Sequence, residues 1–112
     1  MSTDAPLGTF EEQVMLAVLR TGADAYGMAV RREIEAVTAR SISIGAVYST
    51  LDRLESKGLV TSTRSMEDGA RRIFSTTPRG GAALAESRAM RDRLWKNVDL
   101  SGLLGQPGTR SI

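Results

Sequence analysis

Arg64, Arg71 and Arg72 lie close together on either side of Asp68-Gly69, a pair that favours a tight turn. Arginine offers a planar fork of N–H donors and does not lose its charge, so arginines on a hairpin suit phosphate groups. Just upstream, Ser43, Ala46, Ser49 and Arg53 recur at helical spacing, with Tyr48 beside them. Hydroxyls bond phosphates or base edges, small side chains let a helix approach another surface closely, and a helix N-terminus favours a phosphate. The chemistry on offer is recognition of a polyanion.

Catalysis has little to build on. The chain has no histidine and no cysteine, which excludes histidine-based catalysis, disulfides and thiolate metal sites. No Gly-rich phosphate loop or nucleophile elbow occurs, and Gly80-Gly81 lacks the context and spacing of a cofactor fingerprint. Glu33, Glu35, Asp52 and Glu55 fall on amphipathic helices, where carboxylates are solvated charges. The expectation is no enzyme, no cofactor and no metal site.

The stretch from Ser43 to Thr77 must position the polar residues. Ser43 is a helix N-cap. Val47, Leu51 and Leu54 follow on one helical face, and Gly58 supplies the left-handed residue that ends the helix. Gly45, Ala46, Ser49, Asp52, Arg53 and Ser56 point the other way. Two strand-forming runs follow, Leu59–Ser65 and Arg71–Thr76, joined through the Asp-Gly turn. A helix for the major groove and a basic ribbon for the neighbouring backbone is the outline of a winged helix.

Around that centre, residues 1–8 read as a flexible arm. Thr9 and Glu12 form a T-x-x-E capping box for a first helix. Its run Val14-Met15-Leu16-Ala17-Val18-Leu19 is apolar in every direction, so the helix needs cover on more than one side, from its own core or from a partner subunit. Asp24 is placed to cap a second helix, Ala25 to Thr38, with Tyr26, Val30, Ile34 and Val37 on one face. Ile42 is a candidate third strand beside the hairpin. Thr77-Pro78 opens a fourth helix that runs to Asn97. Leu84, Leu94, Trp95 and Val98 form its apolar stripe, flanked by Ala83 and Met90, and Arg91 must snorkel or find a carboxylate. Residues 101–112 read as a flexible Gly-rich tail, frayed after Leu104.

The 112 residues and 41% hydrophobic content suit one small domain, and a small domain gains from oligomerisation. The net charge of +2 is unevenly placed. Residues 1–39 hold three basic and six acidic side chains, net −3; residues 40–79 hold seven and four, net +3. The basic excess begins where the polar helix and hairpin begin. No secretory signal and no membrane span is read, so a cytoplasmic protein is expected.

Ser43 to Val60, SIGAVYSTLDRLESKGLV, resembles the PadR-type winged-helix transcriptional regulators, whose pattern is roughly S-x-G-x-V-Y-x-x-L-x-x-L-E-x-x-G-L-[IV]. Gly69 to Gly80, GARRIFSTTPRG, is similar to that family's wing and exit, and Tyr26-Gly27 also fits. The resemblance spans about Leu7 to Trp95. Ile73 and Thr76 depart from it by replacing an aromatic and an aliphatic residue, and Gly80-Gly81 weakens the first turn of the fourth helix.

The resemblance implies a mainly α (α+β) fold. Residues 9–77 are the winged-helix DNA-binding domain and residues 78–100 a C-terminal dimerisation helix. It implies a repressor that binds a pseudo-palindromic double-stranded DNA operator as a homodimer. The contacts fall to Ser43, Ala46, Tyr48, Ser49 and Arg53 on the third helix and to Arg64, Arg71 and Arg72 on the wing. Tyr48 matches a tyrosine that the family places at the DNA backbone, although its angle beside the core face also allows a structural role. The expected dimer interface is Met15, Leu19, Leu84, Met90, Leu94, Trp95 and Val98. Trp95 belongs either to the dimer core or to a crevice that stacks a small-molecule inducer. The alternative is a winged-helix module for protein–protein contact, which has no need of arginines around a hairpin turn.

Overall fold

The computed structural model describes residues 6–66 and 71–105. Helix α1 spans Thr9–Thr21, α2 Gly27–Thr38 and α3 Ile44–Ser56. Strands β1, Val60–Arg64, and β2, Arg72–Thr76, pair antiparallel, with Val60 opposite Thr76 and Arg64 opposite Arg72. Helix α4, Pro78–Trp95, and a single turn α5, Ser101–Leu104, complete the order. The fold is mostly helical with a two-stranded wing, as the sequence predicts. The Asp68-Gly69 turn lies outside the described residues, as do most of the N-terminal arm and the end of the tail.

The predicted caps of α3 and α4 form. Ser43 Oγ accepts from Ala46 N–H at 3.0 Å, and Thr77 Oγ1 accepts from Gly80 N–H at 3.0 Å. Gly58 follows α3 with φ +77, where a side chain would be strained. The other two caps differ from expectation. Helix α1 is capped at Gly8, whose N–H donates to Glu11 Oε1 at 2.9 Å, so the reciprocal carboxylate stands one residue earlier than T-x-x-E suggests. Helix α2 starts at Gly27, because Gly22–Asp24 closes into a 3-10 turn and the Ala25 carbonyl accepts from Phe74 N–H at 2.8 Å. That bond commits Ala25 to the wing. Among the described residues the sheet keeps two strands, so Ile42 forms no third one; Ile42 N–H donates instead to Glu35.

Val14, Met15, Ala17 and Val18 of α1, Val30 and Ile34 of α2, and Val47, Leu51 and Leu54 of α3 form one core with Phe74 of the wing. The core takes one side of each helix, and Val37 of α2 stays exposed. Helix α4 contributes to it only through its first turns, where Gly80, Leu84 and Ser87 are buried. Beyond Ser87 every residue of α4 is exposed. The radius of gyration is 17.2 Å, against about 13 Å for a compact domain of roughly 100 residues, because this half of α4 projects from the rest. Helix α4 ends at Trp95, two residues before the predicted Asn97, which itself takes φ +67.

The two glycines that weaken α4 by propensity have different positions. A Cβ on Gly80 would stand 2.1 Å from the Leu59 carbonyl oxygen and 2.9 Å from Thr76 Cγ2, so bare backbone is what lets α4 lie against the wing. A Cβ on Gly81 meets nothing within 4 Å. Gly80→Ala is therefore expected to destabilise the fold by about 1–3 kcal/mol through overpacking. Gly81→Ala is expected to stabilise it by about 0.4–1 kcal/mol through the unfolded chain and helix propensity. Urea melts of the two variants check the sign of each change.

Candidate nucleic-acid interface

Helix α3 buries Val47, Thr50, Leu51 and Leu54 and leaves Gly45, Ala46, Ser49, Asp52, Arg53 and Ser56 exposed, as the 3.6-residue period requires. Its outer face is nearly flat at the N-terminal end, where Gly45, Ala46 and Ser49 carry little side chain. Ser43 is exposed at the start of that face, its hydroxyl engaged as the cap. Tyr48 is half-buried at the edge of the face. Its ring lies over Gly27, where a Cβ would come within 2.2 Å of Tyr48 Cζ and 2.4 Å of its hydroxyl oxygen. Gly27 thus seats the phenol tip at the start of α2, and no hydrogen bond ties the hydroxyl to the described residues.

Three carboxylates hold α3 in place. Glu11 of α1 is buried and accepts from Lys57 Nζ at 2.8 Å and from Arg53 Nε at 3.3 Å. Glu35 of α2 accepts from Ile42 N–H at 2.8 Å, which fixes the turn into α3 behind Ala39, a non-glycine residue with φ +58. Glu55 of α3 accepts from Ser62 N–H at 3.1 Å, from Ser62 Oγ at 2.9 Å and from Arg72 Nη2 at 2.9 Å. Arg72 also reaches Asp52 Oδ1 at 3.0 Å and lies over the Phe74 ring. Glu35 and Glu55, expected as solvated charges, are therefore clamps alongside Glu11, and Asp52 adds a second tie to Arg72.

These clamps sort the expected contact residues. Ala46 and Ser49 are open. Arg53 and Arg72 are engaged in ion pairs within the chain. Arg64 is exposed opposite Arg72 on the hairpin. Arg71 is exposed and stacks over the Tyr26 ring, 4.1 Å from its centroid. Tyr26 accepts from Arg32 Nη2 at 2.8 Å. Sequence reasoning missed Glu11 and Arg32. A Gly8-x-x-Glu11 spacing was the available signal for the first; none marked the second.

The apolar residues expected at a dimer interface also divide. Met15 is fully buried in its own core, and Leu84 of α4 is buried against that core. Leu19 is 54%, Leu94 70% and Trp95 57% exposed, with Val98 and Met90 exposed beside them. Leu16 joins Leu19 on the open side of α1. Arg91 finds its carboxylate in Glu12 of α1, which ties the projecting helix back to the domain.

Residues 15–86 match the Transcriptional regulator PadR-like family. The chain is 39% identical over 88 residues to Transcriptional regulator Rv3488 of Mycobacterium tuberculosis, covering 76% of this chain and 81% of that protein. Among solved structures it is similar to a transcriptional regulator from Clostridium thermocellum, with TM-score 0.64 and 25% identity over 76% of this chain and 85% of the other. It is similar in fold to H. salinarum RosR, with TM-score 0.68 and 24% identity over 83% and 81% of the two chains. No helix among the described residues is long and apolar enough to cross a membrane.

Glu11 carries a pH signature. Burial alone raises its pKa, but the bonds from Lys57, the Gly8 N–H and Arg53 outweigh that and hold the carboxyl below its ordinary value of 4.5. A folded-state pKa below the unfolded one means that ionised Glu11 stabilises the fold above about pH 4.5 and that this contribution is lost as pH falls through the folded pKa. Glu11→Gln is expected to cost about 1–2 kcal/mol at neutral pH. Its melting curve should converge on that of the wild type as the pH is lowered below 4.5. A deficit that persists unchanged into acid would assign the loss to packing.

Proposed function

The chain belongs to the PadR-like family of transcriptional regulators, and from that premise we propose that it is a DNA-binding repressor acting on a pseudo-palindromic operator as a homodimer. The observation that carries this reading is the exposed small-residue face of α3, held rigidly beside a cationic wing. In this reading residues 9–77 are the DNA-binding domain and α3 enters the major groove. Ala46 and Ser49 meet base edges, and Ser43 and Tyr48 meet the phosphate backbone. Arg64 and Arg71 reach the adjacent backbone from the wing. Arg53 and Arg72 act first as struts that aim the helix and the hairpin.

The dimer of this reading is built by residues 78–100 of each copy. Leu94 and Trp95 of α4, with Val98 just beyond its end, cover the open side of α1 in the partner, at Leu16 and Leu19. Burying a large apolar side chain contributes about 1.5–3 kcal/mol, so these residues make a substantial seam before association entropy is counted. Trp95 lies in that seam and not in a ligand crevice. Two copies of α3 then face one side of the duplex about one helical turn apart.

Footprinting of the full chain on DNA upstream of its own coding sequence tests the reading. The expected result is a protected pair of half-sites; equal, weak binding to every duplex would reject a specific operator. Tyr48→Phe is expected to weaken that binding by about tenfold, the worth of one charge-assisted hydrogen bond, without lowering the melting temperature. A destabilised variant with intact affinity would place the hydroxyl within the fold. Leu94→Glu with Trp95→Glu is expected to sediment as a monomer with poor operator affinity. A stable dimer with full affinity would put the interface elsewhere.

A further inference from the structure

Arg71 and Arg32 come from different elements and converge on one side chain. Tyr26 offers its ring face to the Arg71 guanidinium at 4.1 Å and its hydroxyl oxygen to Arg32 Nη2 at 2.8 Å. Arg32 also lies 5.8 Å from the ring centroid, so both cations share one aromatic platform. Among the described residues neither arginine has a carboxylate partner, whereas Arg20, Arg31, Arg53, Arg72 and Arg91 all do. Two like charges that lie 4.1 and 5.8 Å from one ring centroid repel each other, and an anion that bridges them would relieve that repulsion. The hydrogen bond from Arg32, with the charges of Arg32 and Arg71 beside it, outweighs desolvation and holds the Tyr26 hydroxyl below the ordinary tyrosine pKa. Gly27, the next residue, lies beneath the tip of Tyr48, so this platform adjoins the outer edge of α3.

We propose that Arg32 and Arg71, both held on Tyr26, form a two-arginine grip on the phosphate backbone of duplex DNA. Arg32 is the added contact, from α2, and Tyr26 is a positioning residue that orders both guanidiniums before DNA arrives. Preordering matters because a long cationic side chain otherwise loses rotamer freedom when it binds. The grip rests on the DNA-binding reading above.

The test titrates the full chain against a labelled mixed-sequence duplex over a range of salt, since phosphate contacts do not depend on sequence. Arg32→Ala is expected to weaken binding by about tenfold and to flatten the log–log salt dependence by about one unit. Tyr26→Phe keeps the stacking face and both charges but loses the hydroxyl. It is expected to weaken binding by about threefold or less at an unchanged salt slope and an unchanged melting temperature. Arg32→Lys should restore the slope without restoring full affinity, because lysine lacks the planar fork. Wild-type binding matched by Arg32→Ala, in both affinity and slope, would overturn the grip alone. A wild-type chain that leaves the duplex free at low salt would overturn the DNA reading and the grip with it.

Discussion

The angle between α3 and everything around it depends on a few charged hydrogen bonds. Apolar burial holds α3 against the core, but burial is non-directional and leaves a helix free to roll or slide by small amounts. Glu11, Glu35 and Glu55 remove that freedom. One pins the last turns of α3 to α1, one fixes the turn that enters it, and one bonds its C-terminal half to β1 and to Arg72 of β2. Charge-assisted bonds are short and directional, so they specify orientation where packing specifies only proximity. Most are partly exposed, and their worth lies in geometry more than in stability.

That division explains how arginines of one hairpin come to have different tasks. Arg64 and Arg72 face each other across the strands, yet Arg72 is folded inward over Phe74 and tied to two carboxylates of α3. Its charge is spent on holding the wing to the helix. Arg71, one residue away, alternates to another direction and meets Tyr26. Strand alternation thus gives adjacent identical residues a structural and an outward role.

Much of this was legible in the sequence, because local rules wrote it. The start of α3 follows from the Ser43 hydroxyl, its end from Gly58, its buried face from Val47, Leu51 and Leu54, and the opening of α4 from Thr77-Pro78. What could not be read is the set of partners that tertiary folding supplies. Glu11 lies 42 and 46 residues from Arg53 and Lys57, and no periodicity connects them. The same holds for Ala25, which reads as the first residue of a helix until Phe74 claims its carbonyl. Met15 reads as one of six apolar residues on an all-round apolar helix. Only the packing of α2 and α3 decides that Met15 goes inward and Leu16 and Leu19 stay out. Gly80 reads as a defect by helix propensity and becomes a necessity once the Leu59 carbonyl is beside it.

No loop separates the wing from the projecting helix. β2 ends at Thr76, Thr77 is the cap, and α4 has begun by Pro78, with Gly80 pressed on the backbone of Leu59. The junction is an elbow without slack. Eighteen residues of helix make a lever about 27 Å long, so a rotation of about 5° at Gly80 moves the far end by about 2 Å. A displacement of the exposed end therefore loads two ties at once, the Gly80 contact with Leu59 and the Arg91–Glu12 pair to α1.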